Sequence, residues 1–362
     1  MHVPFCLQKC SYCAFASERI PDDTSGMSTA LQTEFIQRTK GEHLEFSTFY
    51  AGGGTPTLLP PEFWMRLIGM VKTPSLKEVT IETNPAVLDA SGYSSLLLAG
   101  FNRISVGVQS FNNEKLKLLG RIHSAEGARD SLKLIAKTGF RNISLDLMYG
   151  LPGQTLLEQR KDIEEALSFM PRHISAYDLT LEPGTPLGKK GKKASESICA
   201  EMYYQTHDML MQNGYTHYEV SSYALEDRYR ARHNSSYWKR TPYIGIGPSA
   251  HSFTGSRRSW NFSDTQKYES AVVRGLLPEE SGEDLTRENE AHEILALGFR
   301  NTDGVDMKEL ETHGYRFDPS SLLETGLISR KSHILIPSAE GMLFADTLAL
   351  KAAELLENIP LI

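Results

Sequence analysis

The stretch EVTIETNPAVLDASGYSSLLLAGFNRISVGVQS (residues 78–110) sets two short apolar runs, EVTIETNP (78–85) and RISVGVQS (103–110), around a helical pattern at 89–99. Strand, helix, strand within roughly thirty residues is the βαβ unit, and its crossover makes the two strands parallel. The same alternation continues outward on both sides. Upstream, helical patterns at 28–39 and 61–71 flank the run STFYAGGG (47–54). Downstream, helical patterns at 124–137 and 156–168 alternate with NISLDLMYG (142–150) and HISAYDLT (173–180). Repeated βα units predict an α/β fold with a parallel sheet, either a barrel or an open wound sheet. In both, the loops at the carboxyl ends of the strands carry the site. Gly53, Glu82, Gln109 and Asp146 stand at those ends.

After residue 180 the pattern changes. EPGTPLGKKGKKASE (182–196) reads as a loop, and a helix follows at about 197–213. Short β-prone pieces, HYEVSSYA and RRSWNF, then surround the glycine-rich segment GIGPSAHSF (245–253). ESGEDLTRENE (280–290) reads as a charged linker, and the remainder alternates helices with a small β element, HILIPSAEGMLF. The divisions expected are a barrel core over 1–215, a β-rich extension over 216–284 and a small helical or winged-helix-like domain over 285–362. Lys189, Lys190, Lys192 and Lys193 form a basic loop that reads first as a solvated surface and second as a contact for propionates or anionic lipid.

A formal net charge of −7 argues against nonspecific nucleic-acid binding, which needs a basic surface. No apolar run reaches the roughly 18 residues of a spanning helix. The opening residues, MHVPFCLQKCSYC, show neither the basic start nor the apolar centre of a signal peptide. A cytoplasmic protein is expected, with peripheral contact at the inner membrane face as a further expectation. Only five residues precede Cys6, so the first barrel strand should be short or partly missing, and the native start is expected upstream of Met1.

Three of the four cysteines, Cys6, Cys10 and Cys13, fall on one short loop in the spacing C-x3-C-x2-C. Three thiolates can each bind one iron of a 4Fe-4S cube and leave the fourth iron open. An open iron can chelate a small molecule through an amino and a carboxylate group, as S-adenosylmethionine offers. Zinc is the alternative, but it requires four ligands. Cys199 lies far away on a predicted helix, where it should pack as a small apolar residue, and His2 is the remaining recruit. Gly52-Gly53-Gly54-Thr55 follows a strand, and its glycines allow a ligand to approach the backbone closely while Thr55 adds a hydroxyl.

With these motifs in place the chain resembles the radical S-adenosylmethionine superfamily. Within it, the chain resembles the oxygen-independent coproporphyrinogen III oxidase family, and most closely that family's heme-chaperone branch. The resemblance runs over nearly the whole chain, through HVPFCLQKCSYC, YAGGGTPTLL, IETNP, RISVGVQSF, GRIHS, LDLMYGLPGQT, YDLTLEPGTPL, RHNSSYW, GIGPSAHS and EGMLFADT. It implies an incomplete (β/α)6-type TIM barrel, a 4Fe-4S cluster on Cys6, Cys10 and Cys13, and a reducing electron donor. It also implies an S-adenosylmethionine pocket lined by Gly53, Gly54, Thr55, Glu82, Gln109, Arg121 and Asp146, with Arg121 suited to a carboxylate. His251 belongs to the segment that the resemblance implies closes over the cofactor.

Two functions follow from the resemblance. In the first, the protein binds heme as cargo and delivers it to apo-proteins of respiration. In the second, it is an enzyme that decarboxylates coproporphyrinogen III. Phe15 stands where the oxidases are expected to carry a fourth cysteine, their N-terminal extension is not present, and His251 replaces an expected aliphatic residue. The signature HNxxYW (His233, Tyr237, Trp238) marks the chaperone branch. Imidazole is a common heme ligand and aromatic faces stack on porphyrins. His233 can equally be a buried histidine bonded to protein, with Tyr237 and Trp238 filling core.

Overall fold

Every residue of Arg103–Gln109 is buried, as a strand covered on both faces must be. In the computed structural model, which describes residues 1–41 and 44–360, this strand lies inside one eight-stranded sheet. Six strands run parallel: β1 (His2–Val3), β2 (Thr48–Gly53), β3 (Glu78–Thr83), β4 (Arg103–Gln109), β5 (Asn142–Tyr149) and β6 (His173–Asp178). They neighbour one another in sequence order, and β7 (Thr216–Glu219) and β8 (Ser222–Ala224) extend the far edge antiparallel. Helices connect the parallel strands, which gives the incomplete (β/α)6 barrel expected from the sequence. As expected, the first strand is short, two residues paired to Gly52 and Gly53.

Local chemistry fixes where the helices start and stop. Ser124 caps the helix Ala125–Thr138 by accepting from the Gly127 amide, and Gly139 ends it in the left-handed conformation. Thr155 and Glu158 form a capping box at the start of Leu156–Ser168. The helices bury their apolar stripes on the sheet, where Trp64 packs edge-on against Phe49, Phe63 and Phe101.

The segment read as a linker at 280–290 is not one. Glu279–Asp284 forms strand β11, paired with β10 (Arg257–Asn261), which pairs in turn with β9 (His251–Phe253). Its acidic side chains face arginines: Arg257 meets Glu279 at 3.0 Å and Arg258 meets Glu283 at 3.3 Å. Each strand alone looks like charged loop, and the pairing neutralises both. A helix then begins at Arg287. From there the chain builds a second core on Leu295, Phe299, Leu310, Leu335 and Leu348, with a three-stranded antiparallel sheet. Among the described residues no helix is long and apolar enough to cross a membrane.

Candidate functional site

Two adjoining sites occupy the carboxyl-terminal mouth of the barrel. The first centres on the cysteine loop. Its position is set by Ser11, whose amide donates to the Leu119 carbonyl at 2.9 Å and whose hydroxyl donates to the Leu118 carbonyl at 2.8 Å. Gly120, at φ +71°, turns the chain just where Ser11 passes and delivers Arg121 beside the thiols. The Arg121 guanidinium donates to the Gly107 carbonyl at 2.5 Å and to Asn84 Oδ1, and its Nη1 lies 3.6 Å from Cys10 Sγ and 3.5 Å from the Tyr12 hydroxyl. Thr55 Oγ1 donates to Cys6 Sγ at 3.8 Å. All three thiols are free and partly exposed, and burial pushes those of Cys6 and Cys13 above their usual range. Among the described residues no three His, Cys, Asp or Glu side chains are gathered as the ligands of one metal ion would be. A pocket beside them is lined by Cys10, Thr55, Asn84, Arg121 and His123.

Strand ends supply the rest. Glu82 accepts from the Tyr50 hydroxyl at 2.5 Å and from the Gly53 amide at 3.2 Å. Burial, opposed by those two bonds, pushes its carboxyl up to about 7, and Asp146 adds to the push. Burial likewise raises Asp146 to about 6, although Arg103 and a bond from Ser105 at 3.1 Å favour its charge. A cation placed beside these two carboxyls would favour their charged forms. Gln109 is buried with its backbone in the left-handed region at φ +68°, strain that a non-glycine residue carries mainly at functional positions. Its Oε1 accepts from Tyr177 at 2.7 Å. Gly53 has φ +103°, and a Cβ there would stand 2.7 Å from the His2 ring; one on Gly54 would strike the Phe5 carbonyl.

The second site is an open cleft of about 210 Å³, lined by His2, Tyr50, Gly53, His233, Tyr237 and His251 among others. Its floor on one side is the segment 244–250, tied to β1 by a bond from the His2 amide to the Ile246 carbonyl at 2.7 Å. Buried Glu34 anchors that segment, accepting from the Gly247 amide at 2.8 Å, Asn261 at 2.7 Å and Tyr268 at 2.6 Å. His233 stacks on Tyr50 at 4.9 Å, and its two ring nitrogens meet Thr48 Oγ1 at 2.8 Å and the Tyr237 hydroxyl at 3.0 Å. Burial lowers its pKa to about 3.

The structure therefore brings Gly53, Gly54, Thr55, Glu82, Gln109, Arg121 and Asp146 to one mouth, and places His251 in the aromatic cleft with His233 and Tyr237 rather than beside Arg121. Trp238 is not on that cleft; it turns to the other side of its short helix, toward the buried Glu219 carboxyl. Arg121 faces acceptors of the protein, so a ligand carboxylate would have to share it. Phe15 is 64% exposed and does not line the thiols' pocket. Of the basic loop, Lys193 pairs with Asp178 at 2.7 Å while its three companions are exposed. Cys199 is buried on its helix, as expected. Tyr50, Asn84 and Tyr243 escaped sequence reading. Only Tyr50 carried a signal, an aromatic residue two positions before the strand's last glycines.

A family model described as the Radical SAM superfamily matches residues 1–169. The chain is 33% identical to the heme chaperone HemW of Bacillus subtilis (strain 168) over 365 residues, covering 96% of each protein. It is 38% identical to the heme chaperone HemW of Escherichia coli (strain K12) over 262 residues, 69% of this chain and 68% of that one. Among solved structures, coproporphyrinogen III oxidase (HemN) from Escherichia coli, a radical SAM enzyme, superposes with a TM-score of 0.79 at 22% identity, covering 96% of this chain and 88% of that one. That identity is low enough that the likeness speaks for the fold alone. The chain belongs to the radical SAM superfamily and, within it, to the family of these HemW relatives. Membership implies a 4Fe-4S cluster, S-adenosylmethionine and a reductant.

Proposed function

We propose that this protein is a heme chaperone: it holds heme as cargo in the aromatic cleft and passes it to apo-proteins of respiration, beside a radical SAM centre. Cys6, Cys10 and Cys13 hold the cluster. The fit is chemical: a cube presents a separate iron to each thiolate, the three thiols are free, and Arg121 and Thr55 donate toward the Cys10 and Cys6 sulfurs. Gly53, Gly54, Thr55, Glu82, Gln109, Arg121 and Asp146 line the S-adenosylmethionine pocket. Glu82 and Asp146, both raised by burial, suit a ligand that carries an ammonium and a sulfonium. When bound, the pair of cofactors supplies one-electron chemistry; the residues named orient the ligand and hold its charges. The cargo seat straddles the expected division between the barrel core (1–215) and the extension (216–284), with 285–362 standing apart from it.

One observation carries the reading. His233 and Tyr237 of the HNxxYW helix and His251 of the closing segment meet on a single cleft that opens at Gly52 and Gly53, so aromatic and imidazole groups face the cofactor site. The test is to incubate the anaerobically reconstituted protein with heme and, separately, with coproporphyrinogen III under reducing conditions. A Soret band without protoporphyrinogen is the expected outcome. Decarboxylation on the order of one per minute or faster overturns the reading, since enzymes of metabolism turn over faster still.

A further inference from the structure

The cleft offers three imidazoles, and their surroundings separate them. His2 is wedged under Gly53, with its Nε2 on the Ala16 carbonyl at 2.9 Å. His233 has both ring nitrogens engaged and its face covered by Tyr50. Binding a metal through His233 would first break a bond inside the protein, and His2 lies packed against the Gly53 backbone with one ring nitrogen already bonded. His251 differs. Among the described residues neither of its ring nitrogens has a protein partner, and the side chain is exposed into the cleft. Its backbone is nonetheless fixed: it opens strand β9 opposite Trp260, and its carbonyl lies so close to Gly245 that no side chain fits there. The ring rests tilted on the Trp260 indole, 5.7 Å between centroids.

We infer that His251 is the residue that ligates the iron of the porphyrin cargo, while His233, locked between Thr48, Tyr50 and Tyr237, is a wall of the seat. The inference rests on the heme-chaperone reading above. A fixed backbone with a free ring nitrogen lets His251 take up a metal with no internal bond lost. Partial burial and then Arg258 hold the imidazole below its usual pKa, so its lone pair is available at neutral pH. In the step itself the ring nitrogen donates its lone pair to ferric iron and displaces an iron-bound water. No electron moves, and no proton leaves the neutral ring. Tyr50 and Tyr237, which line the same cleft, supply aromatic surface for the macrocycle.

The experiment titrates ferric heme into the full chain with its cluster and follows the Soret band and the low-temperature electron paramagnetic resonance spectrum. His251→Ala should shift the band, change the spin-state signature and weaken binding on the order of tenfold or more, the scale on which metal affinity answers to its ligand shell. Free imidazole should restore the original spectrum. His233→Ala should leave the band position and spin state unchanged. S-adenosylmethionine binding and iron content report that both variants fold. An unchanged spectrum in His251→Ala, or loss of the axial signature in His233→Ala alone, overturns the assignment and leaves the chaperone function intact. Failure of the unmodified protein to bind heme overturns both.

Discussion

The cysteine–arginine pocket and the aromatic cleft share a wall yet are built on opposite plans. The first draws its residues from Cys6 to Asp146, almost all at carboxyl ends of parallel strands, and its contents are charged: a guanidinium and two carboxyls with raised pKa values. The second gathers four short segments, 1–2, 50–53, 233–237 and 243–251, and its walls are rings. A small polar ligand is fixed by charges and dipoles that cannot move, and βα units supply such positions directly. A flat apolar cargo is gripped by surface instead, which the later chain folds over the mouth to provide. Tyr50 joins the two plans, with its hydroxyl on Glu82 and its ring on His233.

If the plans are separable, damage to one should spare the other. Cys10→Ala is the largest case: iron should fall from about four per chain to near none while the Soret band survives. Loss of both together would show that the cleft depends on the cluster loop. Arg121→Met comes next. It strips the donors from the Gly107 carbonyl and Asn84 and removes the cation beside Cys10, so denaturant unfolding should show a loss of ~3 kcal/mol. Heme affinity should hold.

Gly53→Val tests the wall between them. The residue would carry a side chain at φ +103°, a strain of ~1–3 kcal/mol, and would push the His2 ring that lines the cleft. Both S-adenosylmethionine affinity by calorimetry and heme affinity by absorbance should fall. An effect on the first alone would mean that His2 moves aside freely.

How legible each region was in the sequence follows from the same contrast. Helical patterns at 61–71 and 156–168 coincide with Pro61–Val71 and Leu156–Ser168, because apolar stripes and capping residues act locally. The strand-end residues were legible for the same reason. The cleft was not. His233 and Tyr237 could be named from their motif, but Trp238 turns away because the rotational setting of a seven-residue helix is decided by its packing. Tyr50 reaches Glu82 only once β2 and β3 pair in register, and β11 becomes a strand only against the arginines of β10. Such facts belong to contacts between distant segments, and local propensity does not contain them.

The smallest and sharpest test is Tyr50→Phe read against pH. Glu82 titrates at about 7 in the protein, above the ordinary 4.5, so the native state binds the proton more tightly than the unfolded chain does. Stability from this group is therefore full at low pH and falls as pH rises from about 4.5 through about 7. A bound cation reverses the preference by favouring the carboxylate. S-adenosylmethionine affinity should accordingly rise with pH toward 7 and level off above it, with proton release below that point, measurable by calorimetry in two buffers of different ionisation enthalpy. The Tyr50 hydroxyl supports the charged form, so Phe should move the midpoint upward and weaken binding by ~1 kcal/mol at neutral pH. The ring that stacks on His233 is kept, and the Soret band should not move. A flat pH profile would show that no ligand cation sits on Glu82. A shifted Soret band would show that the hydroxyl, not the ring, is what the two regions share.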